Sequence, residues 1–301
     1  MSFEIITYQQ LEKVRTEDGF LAALDQSGGS TPKALRLYGI DDDAYVEGET
    51  SMFDSVHDMR ARIMTSPAFG GDRILAAILF ENTMDRKVNG LPTAKFLWET
   101  KNVVPFLKVD KGLEPEDKGV QLMKPIPGLD ELLKRAKEAG IFGTKMRSVI
   151  NHANREGIAK IVEQQFEIGK RIIAAGLTPI LEPEVDIHSS SKAEIEALLK
   201  KSILEHMYKL GDNEVIMLKL TIPSIPNHYK ELIDHPKCLR VAALSGGYSR
   251  DHANELLAKQ EDMIASFSRA LTEGLTHQMS DEEFNKKLDE SIGSIFEASK
   301  K

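Results

Sequence analysis

Lys219 is the only charge in the run Val215-Ile216-Met217-Leu218-Lys219-Leu220-Thr221-Ile222-Pro223. A solvated surface role suits such a run poorly, because lysine is almost never buried without a partner or a task. Desolvation and nearby cations such as Lys145 or Arg147 would favour the neutral amine, and a neutral amine attacks a carbonyl to form a Schiff base. The same pattern also suits a lysine ion-paired to Glu182 or Glu184 for stability alone.

Glu182-Pro183-Glu184 follows the apolar run Pro179-Ile180-Leu181. A carboxylate beside an amine nucleophile can move protons through carbinolamine formation and dehydration, while the second carboxylate can serve only to neutralise a cation. Two further charge pairs share the i, i+2 spacing: Lys108 with Asp110, and Lys145 with Arg147. On a strand this spacing puts both members on one face. If that face lines a barrel, the rim holds interleaved cations and carboxylates that tune one another; if it faces outward, the pairs are salt-bridged helix contacts.

Two glycine- and hydroxyl-rich segments suit anions. Ser245-Gly246-Gly247-Tyr248-Ser249 and Ser266-Phe267-Ser268-Arg269 follow or end the last two apolar runs. Backbone N–H groups freed by glycine, with Arg269 adding a charge-assisted contact, form the usual phosphate site after the seventh and eighth strands of a barrel. Asp25-Gln26-Ser27-Gly28-Gly29-Ser30 is a second such loop, and Ser27 and Ser30 with Lys108 could hold a second phosphate. Two anion sites flanking a lysine suit a sugar bisphosphate. The eight histidines show no HxH or HxxxH spacing and are expected on loops and helix surfaces, so no metal ligands are assigned.

These residues need elements that deliver them to one rim. Short apolar segments alternate with longer helix-periodic ones along the whole chain, the signature of a parallel sheet. Eight candidate strands are legible: Gly19 to Asp25, Arg73 to Glu81, Val103 to Asp110, Ile141 to Arg147, Leu177 to Glu184, Glu214 to Thr221, Leu239 to Ser245 and Met263 to Ser268. Gly157 to Ala175 carries apolar residues at Ile158, Ile161, Val162, Phe166, Ile168, Ile172 and Ile173, a helical stripe. The expected fold is α/β, a single (β/α)₈ TIM barrel forming one catalytic domain over residues 1–301. An open doubly wound sheet is the alternative, but the loop after the first strand lacks dinucleotide or P-loop spacing. Nearly every candidate strand is apolar until its C-terminal end, the end at which chemistry is located in this fold.

The chain has 301 residues, 41% hydrophobic content and a formal net charge of −8, so it has no global basic field for nucleic acid or an anionic membrane. No apolar run reaches the roughly 20 residues that span a bilayer, and the N-terminal segment lacks the basic start and apolar core of a signal peptide. The single cysteine, Cys238, fits a reducing compartment and a buried filler role. A cytoplasmic location is expected. Homo-oligomerisation is compatible with the sequence, which fixes no oligomeric state.

Gly19-Phe20-Leu21-Ala22-Ala23-Leu24-Asp25, Lys108-Val109-Asp110-Lys111-Gly112, Lys145-Met146-Arg147, Glu182-Pro183-Glu184, Leu218-Lys219, Leu244-Ser245-Gly246-Gly247 and Phe267-Ser268-Arg269-Ala270-Leu271 occur in that order. In these motifs, and over essentially its whole length, the chain resembles the class I fructose-bisphosphate aldolases in their short bacterial form. The resemblance implies reversible cleavage of fructose 1,6-bisphosphate to dihydroxyacetone phosphate and glyceraldehyde 3-phosphate, with a phosphosugar as the small-molecule partner and no metal or organic cofactor. It makes Lys219 the Schiff-base lysine and Glu182 the acid and base of its formation. Asp25 becomes the aspartate that orients the sugar hydroxyls and assists carbon–carbon cleavage, Lys145 a substrate-contacting lysine, and Arg147 and Glu184 supporting charges. Ser245, Gly246, Ser268 and Arg269 are implied to cradle the ketone-side phosphate; Ser27, Ser30 and Lys108 lie near the aldehyde-side one. Two departures stand out. Gln26 replaces a glutamate of the long eukaryotic members, and the chain closes on Glu297-Ala298-Ser299-Lys300-Lys301, without their terminal tyrosine. The group that exchanges a proton with the enamine is therefore left unassigned.

Overall fold

The computed structural model describes residues 3–300; Met1, Ser2 and Lys301, which belong to the expected 1–301 domain, lie outside the described residues. Eight parallel strands form the barrel: β1 (Phe20–Leu24), β2 (Ile74–Leu79), β3 (Val104–Lys108), β4 (Gly143–Ile150), β5 (Thr178–Val185), β6 (Ile216–Thr221), β7 (Cys238–Leu244) and β8 (Met263–Phe267). Each pairs with its sequence neighbour, and β1 pairs with β8 through Leu21–Ser266 and Ala22–Phe267, which closes the sheet. All eight expected strands are present, and the open-sheet alternative is excluded by this closure. β4 runs three residues past Arg147 because a two-residue strand, Val120–Gln121, adds to its end antiparallel, pairing with Ile150 and Val149.

The principal helices are α1 (Phe3–Thr16), α2 (Ser30–Leu37), α3 (Thr50–Thr65), α4 (Leu129–Glu138), α5 (Arg155–Ala174), α6 (Lys192–Met207), α7 (Arg250–Leu257) and α8 (Asp281–Ser299). α5 takes the stripe expected for it: Ile158, Ile161, Val162, Phe166 and Ile172 are buried, while Ile168 and Ile173 are only partly so. The Asn154 side chain accepts from Gly157 N and so caps its first turn. Within the stripe, Gly169 lets the helix settle on β5; a Cβ there would stand 3.2 Å from Leu181 Cδ2.

The barrel interior holds Leu21, Ala23, Ile78, Val104, Phe106, Ile180, Met217, Ala242 and Ile264. Phe106 fills its centre and meets Phe142 edge to face at 5.4 Å. The ring sits over Gly143, where any Cβ would come within 2.6 Å of it. α1 seals the N-terminal end: Leu11 and Val14 join the interior cluster, and Arg240 Nε donates to Val14 O at 2.9 Å. With that end closed and apolar, the charged side chains gather at the C-terminal mouth. α8 braces β8 from outside, since Ser299 Oγ accepts from Ala265 N at 2.9 Å.

Candidate active site

Four charged side chains meet inside the barrel mouth, and each is almost wholly removed from solvent: Asp25 (7% exposed), Lys145 (3%), Glu182 (3%) and Lys219 (4%). Lys219 Nζ lies 3.0 Å from Glu182 Oε1. Lys145 Nζ lies 2.9 Å from Glu182 Oε2 and 2.6 Å from Asp25 Oδ2. The chain of contacts therefore runs Asp25, Lys145, Glu182, Lys219, alternating in sign and summing to zero formal charge. Buried charges persist only when paired in this way. The outward-facing alternative for the i, i+2 pairs is excluded: they line the interior.

The electrostatics follow from this alternation. Burial would raise the Asp25 carboxyl, but the Lys145 and Lys219 ammonium groups outweigh it and bring the carboxyl down to about 2. Burial likewise opposes ionisation of Glu182, and the same two lysines reverse that and lower it. Lys145 loses hydration, yet Asp25, Glu182 and Asp110 together raise it above the ordinary lysine value. Lys145 is thus a fixed cation, and both carboxylates are ionised at neutral pH.

The second members of the pairs take separate partners. Arg147 Nε donates to Glu184 Oε2 at 2.6 Å, so Glu182 serves the lysines and Glu184 the arginine. Lys108 Nζ donates to Asp110 Oδ1 at 2.7 Å, and Asp110 Oδ2 accepts from Arg147 N at 3.1 Å. Asp110 thereby fixes the ends of both β3 and β4. Above Lys219, Thr221 Oγ1 donates to Val185 O at 2.7 Å and accepts from Val185 N at 2.9 Å, tying β6 to β5 beyond their last ladder pair.

The loop after β7 turns sharply at Gly246, with φ of 63°, and a Cβ there would lie 2.6 Å from Ile187 Cγ2. Both the conformation and the space demand glycine. Gly247 approaches Arg269, whose Nη2 would lie 3.5 Å from a Cβ at that position. Ser245 is buried, Ser268 half-buried and Arg269 exposed, and among the described residues Arg269 forms no ion pair. Only a four-residue helical turn, Arg269–Thr272, follows β8, so the cradle consists of loop N–H groups, hydroxyls and a guanidinium rather than a long helix terminus. Ser27 and Ser30 form a turn of their own: Ser30 Oγ donates to Ser27 O at 2.7 Å and accepts from Ser27 N at 2.9 Å. Lys108, half-buried, points its ammonium at Asp110 and acts electrostatically on Asp25.

One histidine departs from its expected surface place. His57 lies on the buried face of α3, with Nε2 against Lys87 O at 2.9 Å. Cys238 is half-buried, and burial pushes its thiol up to about 12, consistent with an inert filler. Two contributors escaped the sequence reading. Asp110 was visible only as a partner of Lys108, and Arg60 of α3 was not singled out at all. Arg60 is fully buried on the stripe formed by Met52, Val56, Met59, Ile63 and Met64. An arginine on the apolar face of an amphipathic helix is the signal that could have found it.

The family model for fructose-bisphosphate aldolase class-I matches residues 13–226, more than half of the chain and a span that holds all four central charges. The chain belongs to the class I fructose-bisphosphate aldolases. It is 62% identical over 291 residues to the fructose-bisphosphate aldolase class 1 of Synechocystis sp., covering 97% of both chains. To the class 1 enzyme of Porphyromonas gingivalis it is 57% identical over 291 residues, covering 97% of this chain and 98% of that one. The fructose-bisphosphate aldolase of Plasmodium falciparum, solved in complex with TRAP and a small-molecule inhibitor, superimposes with a TM-score of 0.78 at 20% identity. That match covers 99% of this chain and 94% of the other, and it shows a shared barrel fold. The class I mechanism is the Schiff-base one, which a lysine inside the barrel mouth suits.

Proposed function

We propose that the chain is a Schiff-base aldolase that reversibly cleaves fructose 1,6-bisphosphate to dihydroxyacetone phosphate and glyceraldehyde 3-phosphate, a step shared by glycolysis and its reversal, with Lys219 as nucleophile. The observation that carries this reading is the 3.0 Å contact between Lys219 Nζ and Glu182 Oε1, with the other carboxylate oxygen held by Lys145. A proton passes from the Lys219 ammonium to Glu182, and the freed amine attacks the C2 carbonyl. Glu182 returns that proton to the carbinolamine oxygen, water leaves, and the C2 carbon becomes an iminium.

The iminium is the electron sink for cleavage. Asp25 accepts the C4 hydroxyl proton as the C3–C4 bond breaks, and the bonding pair moves to form the enamine on Lys219. Asp25 is held ready for this transfer by Lys145, whose ammonium lies 2.6 Å from Asp25 Oδ2 and keeps the carboxyl ionised. Glyceraldehyde 3-phosphate leaves, the enamine is protonated at C3, and hydrolysis of the iminium frees dihydroxyacetone phosphate and regenerates the amine. Lys145 orients both carboxylates and favours their ionised form between proton transfers. Ser245, Gly246, Ser268 and Arg269 hold the ketone-side phosphate, while Ser27, Ser30 and Lys108 hold the aldehyde-side one. Arg147 and Glu184 supply supporting charge.

The single cysteine suits a reducing compartment, and the proposed place of action is the cytoplasm. Incubating the chain with fructose 1,6-bisphosphate should yield the two triose phosphates in equal amounts, and Lys219→Met should abolish their formation. Absence of cleavage by the unaltered chain, or full activity in Lys219→Met, contradicts the reading.

A further inference from the structure

Gln26 follows Asp25 at the mouth of the barrel and is clamped from two sides. On one side Arg60 Nη2 donates to its main-chain carbonyl and lies 3.5 Å from its Oε1. On the other, Gln26 Nε2 donates to the Ser268 hydroxyl at the end of β8. Arg60 is fully buried, and its Nη1 is anchored on Thr83 Oγ1 at 2.7 Å. Burial brings its guanidinium down only to about 10, so it remains a cation at neutral pH.

The direction of each hydrogen bond is forced by chemistry. A guanidinium carries donors only, so the amide must turn its oxygen toward Arg60. That leaves the NH₂ group for Ser268, and an NH₂ group only donates. Ser268 Oγ is therefore the acceptor in this pair, and among the described residues its own proton meets no acceptor. Its chain neighbour Arg269 stands beside Gly247 with its guanidinium exposed. The end of β8 therefore carries a hydroxyl donor and, on the next residue, a guanidinium that stands against the glycine loop, the two kinds of group an oxyanion needs.

We infer that Gln26 is a positioning residue which, backed by Arg60, makes the Ser268 hydroxyl a committed donor to an oxyanion bound between the loop after β7 and the end of β8. The inference rests on the proposed reading that a phosphate group of the substrate occupies this space. Glutamate at position 26 would accept the Ser268 proton, turn it away from the anion, and add a like charge. This supplies a physical reason for an amide at the position where the sequence departs from the long eukaryotic members.

The test uses the full chain and four variants: Gln26→Met, Gln26→Glu, Ser268→Ala and the double variant Gln26→Met with Ser268→Ala. Inorganic phosphate binding is measured by calorimetry, and KM and kcat with fructose 1,6-bisphosphate. Losing an oriented donor to a charged group weakens phosphate binding and raises KM by about tenfold in Gln26→Met, with a larger loss in Gln26→Glu and a smaller fall in kcat. Added to Ser268→Ala, the Gln26→Met change should have no further effect, because the relay acts only through that hydroxyl. Gln26 is half-buried and Gln26→Glu is isosteric, so the two variants read the position independently of packing. Wild-type phosphate affinity in both variants, or an undiminished Gln26→Met effect on Ser268→Ala, overturns the inference. A chain that binds phosphate as described but forms no borohydride-trapped adduct with dihydroxyacetone phosphate would instead contradict the functional reading and leave the relay standing.

Discussion

The Lys145 ammonium lies 2.6 Å from Asp25 Oδ2, joining β4 to β1 across the barrel mouth, and it holds Glu182 on its other side. One buried cation thus serves two carboxylates, and neither carboxylate can be understood without it. Lys145→Met should leave Asp25 and Glu182 as buried like charges whose carboxyls rise toward neutrality. The expected cost is about 3–5 kcal/mol in urea-unfolding free energy. Turnover should fall by about a hundredfold or more, since the proton carriers lose their charge state.

The pH dependence of stability follows from the same contacts. Asp25 has its carboxyl lowered from 3.8 to about 2 in the folded chain. A depressed carboxyl contributes stability that is fully present above its unfolded value and is lost as pH falls through the folded one, here between about pH 4 and about pH 2. A shift of this size corresponds to about 2 kcal/mol. Lys145 has the opposite sign: its raised value contributes stability present below the ordinary lysine range and lost only at strongly alkaline pH. Urea unfolding across acid pH should show a flatter loss for Asp25→Asn than for the unaltered chain, and identical slopes would contradict the pairing.

Glu182→Gln keeps the shape of the side chain but cannot carry the proton between Lys219 and the departing oxygen. The rate of imine formation with dihydroxyacetone phosphate, followed by quenching with borohydride at timed intervals, should drop by about 10²–10⁴-fold. The concentration of ligand that half-saturates the rate should change far less. A large loss of affinity with an unchanged trapping rate would assign Glu182 to binding instead.

Gly246→Ala tests the phosphate loop. Its left-handed backbone, at φ of 63°, and the Ile187 methyl 2.6 Å from the new Cβ both resist the change. The expected penalty is about 1–3 kcal/mol of strain, partly relieved by displacement of the loop. Weaker inhibition by inorganic phosphate should accompany it, and Gly28→Ala, also at positive φ (53°) but with nothing within 4 Å of the new Cβ, should cost less stability.

Much of this was legible in the sequence because parallel barrels write their plan in a simple code. Apolar runs that end in a charged or hydroxyl side chain marked all eight strands, and alternation placed Lys145 with Arg147, and Glu182 with Glu184, on shared faces that the structure turns inward. The sequence left open whether Lys219 was catalytic or merely ion-paired, and the structure explains why. It is ion-paired, to the same carboxylate that can take its proton, so both readings describe one contact. What could not be read were relations set by tertiary packing. Asp110 reaches across to the Arg147 amide, and Arg60 reaches Gln26 from a helix 34 residues further along the chain. Spacing carries no trace of such contacts, although an arginine on an apolar stripe is a local inconsistency that marks where to look.

Borohydride reduction in the presence of dihydroxyacetone phosphate, followed by peptide mapping of the adduct, tests the nucleophile most directly. The expected result is one triose phosphate per chain, attached to Lys219 through a secondary amine, with no adduct in Lys219→Met. A label carried by Lys145, Lys108 or any other lysine would contradict the assignment.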